Sequence, residues 1–181
     1  MPANWSRRRL VQGTLSLASV AGLAGCGFQP VYMPTATGNP GPPQREMAAI
    51  EVGIIPDRPG QLLRQALQQR LGSDSGIAAP RFTLAVSYSI AGEGIAVQPD
   101  STPSRIRLIG HADWKLSSLA PAHPPVTSGS ARAFEGMDVL DQQYFAADLE
   151  SEAVQQRLAG EIADQIAMQL AVFFRRRATA G

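Results

Sequence analysis

The chain has 181 residues, of which 44% are hydrophobic and 17% charged, so it can bury a core and is not disordered throughout. Its 16 Lys and Arg residues against 15 Asp and Glu residues give a formal net charge of +1, which argues against nucleic acid as a partner. The single cysteine excludes an internal disulfide and a cysteine-based zinc site.

Residues 1–25 have the three parts of an export signal. Arg7, Arg8 and Arg9 form a charged start, residues 10–23 form an apolar run, and two small residues follow. The run is shorter than the ~20 residues that span a bilayer, so we predict a signal peptide. The general secretory route and the twin-arginine route both stay open, because Ser6 to Val11 resembles the twin-arginine pattern.

Cys26 is the predicted site of lipidation. The sequence Leu23-Ala24-Gly25-Cys26 resembles a bacterial lipobox, in which the thiol takes a diacylglycerol and the new amino terminus takes a further acyl chain such as palmitate. Two or three acyl chains exceed the single-chain threshold for stable anchoring. The next residue is Gly27 and not an aspartate, which favours sorting to the outer membrane.

Residues 26–47 are predicted to be the lipidated amino terminus and a Pro-rich tether, because five prolines lie between Pro30 and Gln44 with almost no aliphatic residues. Apolar periodicity then indicates one domain over residues 48–177. Residues 178–181 are predicted to be a disordered tail.

The periodicity of the domain predicts six elements. Ile50, Val52 and Ile54 alternate in a first strand, and leucines at helical spacing follow in a helix that ends at Gly72. Alternation then predicts strands over residues 82–90, 105–116 and 126–134. Residues 92–94, Gly-Glu-Gly, indicate a hairpin or a bulge, and residues 98–104 a loop. A last helix carries Leu158 to Phe174 on its apolar side.

The order β-α-β-β-β-α predicts an α+β fold with a four-stranded mixed sheet and both helices packed on one face. The opposite face is then open. Four basic residues of the third strand alternate with its apolar ones and are predicted to lie on that open face: Arg105, Arg107, His111 and Lys115.

A search for catalytic and cofactor motifs gives none. His111 and His123 lack a metal-ligand spacing, and the sequence has no nucleophile elbow and no phosphate-binding loop. We therefore predict no enzyme activity, no metal and no cofactor.

The chain resembles the LptE family, the lipopolysaccharide-assembly lipoproteins of the outer membrane. The resemblance rests on the order of short motifs: the lipobox, residues 27–32 (Gly-Phe-Gln-Pro-Val-Tyr), residues 62–67, residues 112–114, and residues 144–146 before the last helix. It covers nearly the whole chain after Cys26, and the family's fold, two helices on a four-stranded sheet, is similar to the one predicted above.

The resemblance implies a function in the Gram-negative envelope. Family members plug the lumen of the LptD β-barrel and help to insert lipopolysaccharide into the outer leaflet. It makes Arg105, Arg107, His111 and Lys115 candidate contacts to the barrel or to the phosphates of lipopolysaccharide, with the first two the strongest. The basic residues expected before the last helix are missing, since residues 145–152 carry no cation.

Two other functions stay open. An auxiliary lipoprotein of an intermembrane lipid transporter would share the lipobox, the tether and a small α/β domain. A secreted hydrolase on a lipid anchor would need a catalytic group that the motif search does not find.

Overall fold

The computed structural model describes residues 41–73, 78–97, 103–138 and 144–180. The predicted signal peptide, Cys26 and most of the tether lie outside the described residues, as do residues 98–102 of the predicted loop. The elements, in chain order, are α1 (Pro42–Ala48), β1 (Ile50–Val52), α2 (Asp57–Leu71), β2 (Phe82–Val97), β3 (Pro103–Ser118), β4 (Pro125–Asp138) and α3 (Tyr144–Ala180).

The strands form one sheet in the order β1-β2-β3-β4. β1 runs parallel to β2, with Ile50 opposite Phe82, because α2 crosses over between them. β2 and β3, and then β3 and β4, are antiparallel neighbours. The predicted four-stranded mixed sheet and the order β-α-β-β-β-α are therefore confirmed, with one additional short helix before β1.

The core lies between one face of the sheet and the helices. Alternate residues of each strand enter it, and the apolar sides of α2 and α3 close it. Its fully buried side chains include Ile50, Leu63, Leu67, Leu84, Leu116, Leu158, Ile162, Ile166 and Leu170. Every second residue of the strands belongs to one core cluster with residues of α2 and α3. Both predicted helices therefore pack on the same face of the sheet. None of the described helices combines the length and the apolar character needed to cross a membrane.

Ion pairs align the two long helices along their solvent-facing sides. Arg58 lies 2.6 Å from Glu152, and Arg70 donates to both carboxylate oxygens of Asp164 at 2.6 and 3.1 Å. The hydrogen bonds to Asp164 raise the pKa of Arg70. Because these pairs are exposed, each contributes about 1 kcal/mol or less, and they set helix orientation more than stability.

The first strand is shorter than the sequence indicates. It ends at Val52, so Ile54, expected on the buried side, is 88% exposed, whereas Ile55 is 2% exposed. The chain bends after Val52 and packs Ile55 against Gly60 of α2, where an added Cβ would lie 2.7 Å from the Ile55 side chain. A side chain at position 60 would push Ile55 out of the core.

Two predicted boundaries are wrong at the ends of the domain. The tether was expected to extend to residue 47, yet Pro42–Ala48 is helical and Met47 is buried. The two prolines occupy the first helical positions, where no amide hydrogen bond is lost, and the Gly41 amide donates to Gln44 Oε1 at 3.2 Å.

The helix α3 continues to Ala180, into the predicted disordered tail of residues 178–181. The Thr179 hydroxyl donates to the Arg176 carbonyl at 2.9 Å, and the neighbouring alanines favour helix. Gly72, by contrast, ends α2 with a φ of 70°, as predicted for a left-handed cap.

The Gly-Glu-Gly segment, predicted to be a hairpin or a bulge, pairs in regular register with β3, and a bulge follows it at Ile95. β2 is continuous from Phe82 to Val97, and its register with β3 shifts between Gly94 and Ala96. The extra residue on β2 is offset at the next pair by an extra residue on β3, because Ala96 is opposite Arg105 and Val97 is opposite Pro103.

Candidate functional site: the open face of the sheet

The face of the sheet opposite the helices carries mostly polar side chains. We call it the open face, and its described members are Ala85, Ser87, Ser89, Ala91 and Glu93 of β2; Arg105, Arg107, Ile109, His111, Asp113 and Lys115 of β3; and Ser128, Ser130, Arg132 and Phe134 of β4. All of them are exposed except Ile109, which is 9% exposed. A strand exposes every second residue, which explains why one polar side chain recurs at each second position.

The four predicted basic residues all lie on this face and are exposed. At about 3.4 Å per residue, Arg105 and Arg107 are about 7 Å apart, while His111 and Lys115 follow at about 13 Å intervals. The structure therefore brings Arg105 and Arg107 together as neighbours. His111 and Lys115 extend the same row along β3 and do not form one cluster with them.

Acidic residues lie beside two of the four basic residues of β3. Glu93 of β2 pairs in register with Arg107, and the His111 ring nitrogen Nε2 lies 3.2 Å from Asp113 Oδ2. The Arg105 guanidinium extends over Gly136 of β4, which has no side chain to obstruct it. Among the described side chains, four Lys and Arg residues against two carboxylates leave this face with an excess of two positive charges, counting Arg132 of β4.

Arg132 and Phe134 were not identified from the sequence. Arg132 pairs in register with His111, and its guanidinium carbon lies 4.8 Å from the centre of the Phe134 ring. Phe134 is 52% exposed and stands beside Ile109 on the adjacent strand. The signal in the sequence was weak, because an aromatic residue at the parity of Ser128 and Arg132 breaks the expected alternation of β4.

Arg132 also borders a cavity of about 540 Å³ that is open to solvent. Ile109 forms part of its floor, the small residues Ser89 and Ala91 leave it room, and His111 and Arg132 stand at its side. The open face thus places the guanidinium of Arg132 next to an apolar base. Such a surface suits an amphiphile with an anionic group.

The outer edge of β4 is partly covered by α3. The Arg132 amide donates to Gln165 Oε1 at 3.2 Å, and Gln165 Nε2 donates to the Arg132 carbonyl at 3.0 Å. Gln169 Nε2 donates to the Ser130 carbonyl at 2.9 Å, and its Oε1 accepts from the Trp114 indole at 3.0 Å. Two glutamines therefore replace a neighbouring strand there, which leaves the edge less open to aggregation.

Within the described part of the chain, no group of three or more His, Cys, Asp or Glu residues could hold a metal ion. The His111–Asp113 contact of the open face is exposed, and the residues in register with it on β2 and β4 are Ser87, Ser89, Ser130 and Arg132.

Comparison with known proteins gives the family. The family model described as LptE, lipopolysaccharide-assembly, matches residues 47–170, which is more than half of the chain. A comparison with curated protein sequences gave no match.

Three lipoproteins of known structure have a similar fold. A protein from Caulobacter crescentus CB15 with a lipoprotein designation aligns with a TM-score of 0.60 and 24% identity, over 74% of this chain and 96% of that one. The rare lipoprotein B of Shewanella oneidensis aligns with a TM-score of 0.52 and 13% identity, over 68% and 92%. A minor lipoprotein of Acinetobacter baumannii aligns with a TM-score of 0.50 and 10% identity, over 69% and 92%.

The structural matches agree with the fold, and the family match covers the described elements from Met47 at the end of α1 to Leu170 in α3. The resemblance seen in the sequence is confirmed, and with it a role in lipopolysaccharide assembly. The chain belongs to the LptE family of lipopolysaccharide-assembly lipoproteins.

Proposed function

We propose that the chain is anchored in the outer membrane through lipid on Cys26, occupies the lumen of the LptD β-barrel, and assists insertion of lipopolysaccharide into the outer leaflet without catalysing a reaction. Family membership supports the assembly role. The open face supports the proposed position inside the barrel. Helices cover one side of the sheet, and the other side is polar and is not covered by the described elements.

The polarity of the open face fits a barrel lumen. The interior of an outer-membrane barrel is polar, so a protein lodged there needs a surface that exchanges water for hydrogen bonds and charge pairs. The serines of β2 and β4 and the cations of β3 provide such groups along the length of the sheet. A large apolar patch would instead favour docking to a hydrophobic partner.

Contact with lipopolysaccharide is the finer part of the proposal. Arg105 and Arg107 are adjacent guanidinium groups, which bind phosphate oxygens bidentately and most strongly where water is excluded. Arg132, with Phe134 and Ile109 beside it, adds a cation next to apolar surface. These residues match the chemistry of a phosphorylated acylated sugar.

The test reverses the two strand charges with Arg105→Glu and Arg107→Glu. Both side chains are exposed, so the free energy of unfolding should change by about 1 kcal/mol or less. At a desolvated interface, like charges in place of opposite ones cost several kcal/mol, which weakens binding by orders of magnitude. We expect loss of copurification with the LptD barrel from detergent-solubilised envelopes.

A matched control carries the same charge change at another site. Arg176→Glu with Arg177→Glu alters exposed arginines of α3 and should leave copurification intact. Binding of lipid A separates two mechanisms. If Arg105 and Arg107 contact phosphate, the variant Arg105→Glu with Arg107→Glu should lose binding only of phosphorylated lipid A. If they contact the barrel, copurification should fail with dephosphorylated lipid A as well. Copurification with inner-membrane transporter components in place of the barrel would support the auxiliary-transporter function and refute the proposal.

A further inference from the structure

One end of the molecule is rich in arginine. Phe82 begins β2 there, and its ring lies 5.5 Å from that of Phe174 in the last turns of α3. Arg81 precedes this contact, and three consecutive arginines follow it. We call this surface the arginine end, and its members are Arg81, Arg175, Arg176 and Arg177.

A small cavity lies within the arginine end. It measures about 200 Å³, has Phe82 and Phe174 among its lining residues, and is bordered by Arg81 and Arg177. Glu46 of α1 also borders it and pairs with Arg81, so two guanidinium groups face one carboxylate there. The cavity can admit a small anionic group next to apolar rings.

The tether joins the domain close to this end. The Ala49 carbonyl, directly after α1, accepts hydrogen bonds from the amides of Arg81 and Phe82 at 2.8 and 3.2 Å. The helix α1 has seven residues, a length of about 10 Å, so Gly41 lies within about 15 Å of the arginine end. Any membrane anchor at Cys26 is therefore attached next to the cationic end of the molecule.

The length of the tether determines how closely the lipid anchor holds the domain to the membrane. The 15 residue-to-residue steps from Cys26 to Gly41 reach up to about 50 Å when extended, so anchoring alone does not hold the domain against the membrane. An attraction between the arginine end and the surface would fix both distance and orientation. Arginine supplies it, because its guanidinium binds phosphate bidentately.

We propose that the arginine end binds the phosphate headgroups of anionic glycerophospholipids in the leaflet that holds the acyl chains of Cys26. This inference rests on the proposed lipid anchor and is separate from the barrel contact of the open face. Each arginine near an anionic surface favours the bound orientation by a factor of about five. The headgroup phosphate is placed at the cavity between Arg81 and Arg177, with the neighbouring arginines around it.

The experiment uses the full mature lipoprotein in phosphatidylcholine vesicles, with and without one part in three of phosphatidylglycerol. A fluorophore on Ala178→Cys reports the arginine end, and one on Ala96→Cys reports the opposite end of the sheet; Cys26 is blocked by its lipid. Nitroxide-labelled headgroups quench a probe that touches the surface. We expect strong quenching at position 178 only in the anionic vesicles, and weak quenching at position 96 in both.

Charge reversal by Arg176→Glu with Arg177→Glu should lower the equilibrium constant for surface contact at least about twentyfold. Arg176→Gln with Arg177→Gln should lower it about twentyfold without adding negative charge to the helix end, so charge reversal should have the larger effect, and thermal unfolding checks that both variants remain folded. Arg105→Glu with Arg107→Glu is the matched control and should keep full quenching at position 178.

Equal quenching at position 178 in neutral and anionic vesicles, or unchanged quenching after reversal, would overturn the inference. Flotation with the vesicles reports the anchor separately. A chain that floats but shows no charge-dependent quenching refutes the arginine end alone, whereas a chain that floats with neither vesicle refutes both the anchor and the inference. Failure of the barrel proposal appears elsewhere, in copurification of the open-face variant.

Discussion

Gln169 links three elements with one side chain. Its Oε1 accepts a hydrogen bond from the Trp114 indole of β3, and its Nε2 donates to the Ser130 carbonyl on the edge strand β4. Trp114 is 5% exposed, so water does not readily replace the lost acceptor. Gln169→Ala should therefore destabilise the contact between α3 and the sheet.

The expected loss follows from the two bonds. The Trp114–Gln169 hydrogen bond is part-buried, so loss of its acceptor costs about 1–2 kcal/mol, whereas the exposed Ser130 carbonyl can bond to water and adds about 0.5 kcal/mol. A total of about 2 kcal/mol is a sizeable part of the 5–15 kcal/mol that stabilises a typical domain. For a domain of this size it lowers the Tm by roughly 5–10 °C.

Tryptophan fluorescence during thermal unfolding measures this effect directly. The sequence has two tryptophans, and Trp5 lies in the predicted signal peptide, so Trp114 is the reporter in the mature chain. Gln169→Met keeps the length of the side chain and removes the hydrogen bonds, so it should lose most of the same stability. Gln156→Ala, an exposed position of α3, should change the free energy of unfolding by about 0.5 kcal/mol or less. A wild-type Tm for Gln169→Met would refute the reasoning, because packing alone would then explain the site.

Three further outcomes are expected. Ile166→Asp places a charge at a fully buried position of α3, where desolvation costs several kcal/mol, so soluble protein or its cooperative unfolding should be lost; an unchanged melting curve would contradict the core assignment. Burial raises the pKa of Tyr88 from 10.0 to about 12, so the unfolded chain loses this proton first and stability should fall between pH 10 and 12. Tyr88→Phe should flatten that fall in urea unfolding, and equal slopes for the two proteins would exclude Tyr88 as the cause. Cys26→Ala should abolish metabolic labelling with palmitate while the domain stays folded, and retained label would disprove the lipidation site.

The main elements could be predicted because their signals are local. Period-two alternation placed the three long strands, and Gly72 ended α2 in the left-handed conformation that only glycine adopts readily. The placement of Arg105 and Arg107 on an exposed face followed from the same parity. Each of these inferences needs only the residue's neighbours in sequence.

The parts that could not be predicted depend on distant contacts. Ile54 and Ile55 are both apolar, and only the approach of Gly60 selects the second for the core. The short helix α1 is stabilised by Met47 packing into the core, which outweighs the Pro-rich composition around it. Phe134 lies on the open face and is 52% exposed, although an aromatic residue in a strand is usually expected to face the core.

The length of α3 can be compared with the thickness of a membrane. Its 37 residues extend for about 55 Å, and the 16 residues of β2 beside it for about 53 Å. A bilayer with its headgroups is about 40–45 Å thick. With the arginine end at the inner surface, the described end of β2 at Val97 would lie about 53 Å away, which is more than the thickness of the bilayer.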